Sequence, residues 1–497
     1  MKKITFLILT FVTIQSNAFD LGSLDTTFSN DGVSDGWDIT GEPGFHRYGS
    51  AVLVDSQGRV YVAGTFDYEV NGYTEKAVHL DRYLANGQPD ASFGTSGTKN
   101  FYIPPAATNQ FEYSLVLGPS DSIFLGYSRL YCVTGNECHS DIRVYYLDST
   151  GNEIDSITIP FDLGGTWDRN DDNISDMVYI PTLNRLAIAA EVERGGANDT
   201  DFGVAVVVVD GTTGALSLDT AFSADGKEVC YFDQGATNDT DRARAIVYNW
   251  LQGSVVVGGT VFEGNGIGGD GTNLAFCEFS LSDGNLLRKW STQTDPDVAD
   301  EREYLSDMVY VVDAVDNGGI ITLTSGIIVA ATLPGAGDVQ MTDFGLTKFT
   351  LGATNWERNP DFGPDSTGIV TTNFNWFFTD TDDYVSEMIL ESEGSTILLA
   401  GTANWDNQGF PNSVSVLARY TYSGILDTNW GIGKSGKAVS PLSPYLSGKY
   451  WESAESIAVD PNTEEIYIAG WSYDGLNFKS IIANFINDQI FGDNFDF

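Results

Sequence analysis

One strand–turn–strand unit returns along this 497-residue chain, and its regular return limits the folds that the chain can adopt. The unit is a β-rich run, a polar turn, a second β-rich run and a small pair, as in SAVLVDSQGRVYVAGT at 50–65. This pattern is typical of two antiparallel strands joined by a tight turn. Because the unit recurs at a nearly fixed spacing, it predicts a repeat architecture rather than several unrelated domains.

The unit occurs seven times, and its small pair marks equivalent positions about 63 to 72 residues apart. These positions are Gly64, Tyr127, Ala190, Gly259, Ala331, Gly401 and Gly470. Each unit continues into a third strand, such as KAVHLDRYL at 76–84, and then towards a fourth. Four antiparallel strands repeated seven times predict an all-β fold, a single seven-bladed β-propeller over residues 19–489.

A short phrase that precedes the fourth strands indicates how the ring closes. It reads LDTTFSNDGV at 24–33, with near-copies at 89–98, 218–227, 359–368 and 426–436. The last unit stops after its third strand near 480–485, whereas the chain begins with an orphan phrase and strand at 24–39. We therefore expect 33–39 to pair with the third strand of the last unit, which removes an exposed sheet edge.

The motifs of the repeat resemble those of a known family. The segments SAVLVDSQGRVYVAG and AVHLDRYLANGQPDASFGTSG resemble the delta-60 repeat of bacterial secreted proteins, with its "DG", "VAG", "ARY" and "LD-x-x-FG" signatures. The resemblance covers nearly all of the chain after residue 18 and is strongest in the first unit and in 397–436. It implies a propeller fold and export, and it implies no agreed activity.

The two ends of the chain carry processing or sorting features. Residues 1–18, MKKITFLILTFVTIQSNA, have the charged start, short apolar run and small-residue cleavage site of a signal peptide. No apolar run is long enough for a membrane helix, so we expect an exported protein of the cell surface, medium or periplasm, without membrane insertion. Residues 490–497, IFGDNFDF, form a short C-terminal tail, either a sorting signal or a frayed end.

The charge of the chain excludes some partners and favours others. The sequence has 69 acidic and 25 basic residues, a net charge of −44 at pH 7. Nucleic acid is excluded because no basic stripe is available to neutralise phosphates. Metal cations and basic partners are favoured.

The four cysteines are too few for a disulfide framework in a chain of this length. Cys132 and Cys138 lie in one hairpin loop, close enough in sequence to bond without moving the strands, and we predict that they do. Cys230 lies in a fourth strand and Cys277 in the third strand of the next unit, so their pairing stays open.

Motifs for catalysis are scarce. The three histidines, His46, His79 and His139, fall in different units, and neither H-E-x-x-H nor G-x-S-x-G occurs. The glycines of GNGIGGDG at 264–271 lie between two strands, which predicts a hairpin loop rather than a dinucleotide site. DRNDDNISD at 168–176 begins like a calcium loop but lacks the glycine and glutamate of an EF-hand.

Polar or acidic residues recur just before the innermost strand of each unit, where a propeller places the mouth of its channel. We predict that they form a ring with Ca²⁺ as the candidate ion and no other cofactor. The predicted metal-binding residues are Asp172, Asp176, Asp241, Glu303, Asp307, Asp383, Glu387 and Glu455. A solvated rim without metal is the alternative, because arginines stand nearby, at Arg47, Arg242, Arg244 and Arg302.

The predicted function is a monomeric, non-enzymatic binding or scaffold module for a protein or glycan ligand. No residue is assigned a catalytic role. The alternative is a secreted polysaccharide hydrolase or lyase that uses channel carboxylates as acid and base. The fold alone does not decide between these two functions.

Overall fold

The computed structural model describes residues 23–29, 36–40, 45–70, 72–102, 113–134, 137–163, 171–194, 199–232, 240–262, 271–294, 303–316, 321–335, 338–374, 382–391, 395–406, 411–439, 451–473 and 476–487. The predicted signal peptide and C-terminal tail lie outside these residues. The described part contains thirty β-strands and a 3₁₀ turn at Pro119–Asp121. No helix of this part is long and apolar enough to cross a membrane.

Seven antiparallel sheets form the blades of a closed ring, so the predicted seven-bladed propeller is confirmed. Blade 1 contains β2–β5, at Ala51–Val54, Val60–Val70, Tyr73–Tyr83 and Thr98–Tyr102. Blade 2 contains β6–β9, at Tyr113–Leu117, Ile123–Thr134, Glu137–Leu147 and Glu153–Ile159. Blade 3 contains β10–β14, at Asp172–Ile180, Arg185–Glu193, Thr200–Val209, Leu216–Leu218 and Lys227–Cys230.

The next three blades repeat this order, each from its innermost strand outwards. Blade 4 contains β15–β18, at Arg242–Asn249, Ser254–Phe262, Thr272–Ser280 and Leu286–Thr292. Blade 5 contains β19–β23, at Tyr304–Asp316, Ile321–Gly335, Asp338–Leu351, Trp356–Arg358 and Ile369–Thr372. Blade 6 contains β24–β27, at Asp382–Leu390, Thr396–Asp406, Pro411–Thr421 and Lys437–Val439. In blades 3 and 5 the fourth strand is in two pieces, both paired with the third strand.

Blade 7 is completed by the N-terminal strand, as expected from the missing strands. Of the expected segment 33–39, residues 33–35 lie outside the described part. Its first three strands are β28–β30, at Trp451–Val459, Ile466–Tyr473 and Phe478–Phe485, and the fourth is β1 at Trp37–Thr40. Strand β1 pairs with β30 from Trp37 opposite Ala483 to Thr40 opposite Ser480. The two ends of the described chain therefore lie in one sheet and close the ring.

The core is divided among the contacts between neighbouring blades. Seven clusters of buried apolar side chains occur, one at each of the seven blade contacts. The second strand of each blade faces a neighbouring blade on both sides, so it reads as a continuous apolar run instead of alternating. Strand β16, SVVVGGTVF, shows this, since every residue except the last is buried.

The recurrent phrase is a turn that is followed by a buried aromatic side chain, and it precedes the outer strand of five blades. Its first polar side chain accepts a hydrogen bond of 2.9–3.0 Å from the backbone N–H two residues later, in all five copies. The aromatic residue that follows is buried in each copy, at Phe28, Phe93, Phe222, Phe362 and Trp430. Asp and Asn favour this local turn, so the phrase recurs because five of the seven blades share the same turn and the same buried ring.

The glycines of the small pair are required by the backbone. A Cβ atom at Gly64, Gly259, Gly401 or Gly470 would lie 1.8–2.0 Å from a backbone carbonyl oxygen. That oxygen lies in, or just before, the innermost strand of the same blade. No side chain fits at such a distance. The interpretation that these residues mark a close approach of two backbones is confirmed.

One disulfide joins blades 3 and 4. Cys230 in β14 and Cys277 in β17 are bonded, with a Cα–Cα distance of 6.5 Å. The pairing that the sequence left open is therefore present. Cys132 and Cys138 are opposite each other in the β7–β8 backbone register. Their side chains lie outside the described part, so the predicted bond between them stays a prediction.

Replacing both bonded cysteines, Cys230→Ala with Cys277→Ala, should lower the melting temperature of the oxidised protein. The bond closes a loop with a sequence separation of 47 residues, and removing such a bond costs about 2–4 kcal/mol. Calorimetry with and without reductant checks this. Reductant should lower the melting temperature of wild type more than that of the double variant, which keeps only the predicted Cys132–Cys138 bond. An oxidised variant as stable as the oxidised wild type would show that the bond contributes nothing.

Candidate ligand site in the central channel

One residue from each blade faces the central channel at an equivalent position. The seven residues are Ser50, Tyr113, Ser175, Arg244, Ser306, Ser386 and Glu455, and all of them line one cavity. In blades 3 to 7 this residue lies at a break in the pairing register between the first and second strands. Such a bulge turns the extra side chain out of the regular alternation, here towards the channel.

Small hydroxyl residues at this position join neighbouring blades. The Ser175 hydroxyl donates to the carbonyl oxygen of Ala243 at 2.7 Å, and the Ser306 hydroxyl donates to that of Val385 at 2.8 Å. Both bonds run from one innermost strand to the innermost strand of the next blade. They fix the spacing of the strands that form the channel wall.

Three of the predicted acidic residues follow the bulge directly and also connect blades. Asp176, Asp307 and Glu387 accept hydrogen bonds from backbone N–H groups of the next blade. The donors are Ile246 at 3.0 Å, Met388 at 2.9 Å and Ile457 at 2.7 Å. The second oxygens of the two aspartates accept the N–H of the following residue, at 2.7 and 2.6 Å. These carboxyl groups hold the innermost strands together.

The same three carboxyl groups are hard to ionise. They face the channel but lie deep in the molecule, and burial raises the pKa of Asp176 to about 6 and that of Glu387 to about 7. Burial also raises the pKa of Asp307 well above its usual value, and the charge of Glu387 adds to this shift. A negative charge on any one of them therefore disfavours a charge on the others.

Four other predicted residues do not reach the channel cavity. Asp172, Asp241, Glu303 and Asp383 are buried where their innermost strands begin. Each accepts a backbone N–H from the end of the preceding blade, donated by Phe161, Phe232, Thr294 and Phe374, at 2.5–3.2 Å. Burial raises the pKa of Asp172 to about 7 and also raises the pKa of Glu303. Seven of the eight acids expected in a single ring thus form two groups with different surroundings.

The eighth predicted residue, Glu455, lies in the wall of the cavity. One of its carboxylate oxygens accepts the indole N–H of Trp471 at 2.8 Å. Within the described residues, no three His, Cys, Asp or Glu side chains are grouped so as to hold a metal ion. Calcium binding by these residues stays a prediction.

The histidines lie away from this cavity. His79 is fully buried. Its Nε2 lies 2.9 Å from the Tyr48 carbonyl oxygen, and its Nδ1 lies 3.0 Å from an Asp81 oxygen. His79 is thus a packed histidine, and the cavity wall contains no histidine among its described residues.

Above the seven-residue ring the channel widens into a cavity of about 940 Å³. Its side over blades 4 to 6 carries Arg242, Tyr304 and Tyr384, each two residues before the bulge of its own strand. Arg242 is exposed, and Tyr304 and Tyr384 are 38% and 40% exposed. Phe262 and the hydroxyls of Thr260, Thr272 and Thr332 complete this side.

We call Arg242, Arg244, Tyr304 and Tyr384 the arginine–tyrosine side of the cavity. The two arginines were expected as neighbours of the acidic ring, whereas the tyrosines were not predicted to lie there. The signal that was available is positional, since Arg242 and Tyr384 have the same offset from their aligned glycines, Gly259 and Gly401. Tyr304 has a larger offset from Ala331, because the hairpin of its blade is longer. Their different residue types hid the equivalence.

The fold and the site together define a seven-bladed β-propeller with a ligand-sized cavity in its channel. The sequence matches no protein-family model and no curated protein. The resemblance to delta-60 repeats therefore rests on the motifs quoted above.

Three solved structures are similar in part. Polysaccharide lyase Uly1 is 12% identical, with 95% of this chain and 98% of that chain covered and a TM-score of 0.42. Pseudomonas aeruginosa periplasmic gluconolactonase is 10% identical, with coverage of 76% and 83% and a TM-score of 0.39. Penicillium chrysogenum α-L-arabinanase, complexed with arabinobiose, is 12% identical, with coverage of 76% and 94% and a TM-score of 0.38. At this level no activity and no site residue transfers to this chain.

Proposed function

We propose that this protein is an exported, non-enzymatic binding module that takes its ligand into the channel cavity. The observation that carries the proposal is the cavity itself, about 940 Å³ with aromatic, hydroxyl and guanidinium groups in its wall. Ligand sites are typically concave pockets of about 300–1,000 Å³ with a few placed polar groups. A sugar chain end or a small molecule fits such a cavity better than the flat surface of a folded protein.

The bonding of the carboxyl groups favours binding over hydrolysis. An acid–base pair needs carboxyl oxygens within reach of the substrate. Both oxygens of Asp176 and of Asp307 accept backbone N–H groups, and one oxygen of Glu387 accepts both Ser456 and Ile457. These groups are engaged in holding the blades together, which leaves the hydrolase or lyase as the weaker alternative.

The proposal is tested by blocking the cavity and screening glycans. Ser386→Trp places a large side chain in the channel wall, and Ser217→Trp makes the same change on an exposed outer strand. Wild type and Ser217→Trp should bind the same members of a glycan array, whereas Ser386→Trp should lose them while melting cooperatively.

The same glycans are then incubated with the wild-type protein and analysed for shortened or unsaturated products. We expect none. Cleavage products would overturn the non-enzymatic proposal and favour the hydrolase or lyase. Unchanged glycan binding by Ser386→Trp would place the ligand outside the cavity and contradict the proposed site.

A further inference from the structure

We infer that the ligand of the channel cavity is a saccharide that carries a carboxylate, held by Arg242 with Arg244 beside it and packed against Tyr304 and Tyr384. The inference rests on the proposed function and names the ligand class for the same site. It concerns the arginine–tyrosine side alone, because the described wall residues from blades 1, 2, 3 and 7 are Ser50, Tyr113, Ser175 and Glu455, none of which is basic or carries a large exposed aromatic face.

The basic residues in the wall of the cavity favour an anionic ligand. The chain has 25 Lys and Arg against 69 Asp and Glu, yet the basic residues in the described wall of the cavity are two arginines, two positions apart. A guanidinium presents a planar fork of donors that matches a carboxylate, and such pairs are stronger than neutral hydrogen bonds. Arg242 is exposed to the cavity, so its donors are accessible to a ligand.

The acidic residues of the cavity do not favour a cationic ligand instead. In the upper cavity the acidic residue among the described wall residues is Glu455, and the Trp471 indole N–H already binds one of its oxygens. Asp176, Asp307 and Glu387 line the smaller cavity of about 150 Å³ below the ring. Their oxygens accept backbone N–H groups, which offset their charge. A ligand amine would meet the guanidinium groups of Arg242 and Arg244 before it reached these three carboxyl groups.

The negative charge of the whole chain does not prevent binding of an anion. At physiological ionic strength charges are screened over about 8 Å. A ligand carboxylate inside the cavity therefore responds mainly to the charged groups of the described wall, which are the guanidinium groups of Arg242 and Arg244 and the carboxylate of Glu455. The two positive charges outnumber the single negative one, which favours an ion pair with an arginine. We expect binding to weaken as salt is added, because this ion pair is partly exposed to solvent.

The aromatic residues indicate a sugar ring rather than a small inorganic anion. Tyr304 and Tyr384 come from adjacent blades and expose about two fifths of their surface, beside Phe262. An aromatic side chain with an apolar face and a polar edge can pack against a sugar ring and also bind its hydroxyl groups. Thr260 and Thr332 lie in the same wall, but their hydroxyl oxygens already accept the backbone N–H groups of Leu305 and Val385.

The experiment measures the affinity of purified protein for a panel of uronic-acid and sialic-acid oligosaccharides, each paired with its methyl ester. At least one acid should bind, and its ester should bind about tenfold more weakly or worse. Arg242→Gln should weaken binding of the acid by a similar factor and leave binding of the ester unchanged. Lys434→Gln, which removes a positive charge from an exposed turn, is the matched control and should bind as wild type does.

Several results would overturn the inference, and they are distinguishable from failure of the proposed function. Equal binding of acids and esters would refute carboxylate recognition while leaving a saccharide-binding cavity. Preference for glucosamine oligomers, which carry amines, would reverse the assigned charge. Binding of an acid that Arg242→Gln does not weaken would remove the arginine from the site. If no acid binds at millimolar concentration, the ligand class is wrong, and the glycan array then decides whether the binding function survives.

Discussion

A protein that lacks residues 24–40 should melt at a much lower temperature than the full chain and should aggregate on heating. These residues supply β1 and the turn that buries Phe28 against Tyr467, with ring centroids 5.7 Å apart. Without them, β30 presents an unpaired edge of backbone N–H and C=O groups, which is a template for pairing with other chains. Thermal melts followed by circular dichroism and light scattering measure both effects.

A graded variant separates closure from the general effect of a truncation. Phe28→Ala keeps β1 but removes the buried ring, and such a change costs about 3–5 kcal/mol. Thr26→Ala, at an exposed position in the same turn, should melt as wild type does. If the truncated protein and Phe28→Ala both melted like the full chain, the N-terminal strand would not close the ring.

The blade count, the closure and the small pair could be predicted because each follows from local requirements that every blade shares. A strand pair needs alternating or apolar runs with a turn between them, and the phrase needs Asp or Asn before its aromatic residue. Gly470 is small because Ser453 places its carbonyl oxygen where a Cβ would lie. Repetition made these local signals visible, since most copies agree where a single copy would be ambiguous.

The division of the acidic residues could not be predicted because it depends on a register shift. In a regular strand, residues four apart lie on the same face, so Asp172 and Asp176 were expected together. The break in pairing between Ile174 and Asp176 adds one residue to the strand. This reverses the alternation, so Asp176 turns to the channel while Asp172 is buried between blades. The residue types at 172–176 do not indicate a bulge.

The stability of the folded protein should fall as the pH rises from about 4.5 to about 8. The folded protein holds protons on Glu387 and Asp176 more tightly than the unfolded chain does, because burial raises the pKa values to about 7 and about 6. This stability is fully present below the ordinary carboxyl pKa and is lost as pH rises through the raised values. For Glu387 the loss is on the order of 3 kcal/mol.

Glu387→Gln tests this account with little change of shape. Oε2 of Glu387 accepts both Ser456 and Ile457, at 2.5 and 2.7 Å, so a glutamine can keep these bonds with its carbonyl oxygen. The variant should melt at a higher temperature than wild type at pH 8 and at a similar temperature at pH 4.5. Asp365→Asn, which removes an exposed charge, should retain the wild-type slope. A Glu387→Gln protein with an unchanged slope would show that Glu387 is charged in the folded protein throughout this range.

Adding Ca²⁺ tests whether protons or a bound metal ion reduce the repulsion between the channel carboxylates. At pH 8 a bound cation would stabilise the folded state by mass action, in place of the protons that are present at pH 4.5. If the channel carboxylates are ligands, millimolar Ca²⁺ should raise the melting temperature of wild type above that in matched monovalent salt, and Glu387→Gln should weaken the rise. If the two salts act alike, the backbone N–H groups and the raised pKa values account for these residues without a metal, and the predicted calcium site is wrong.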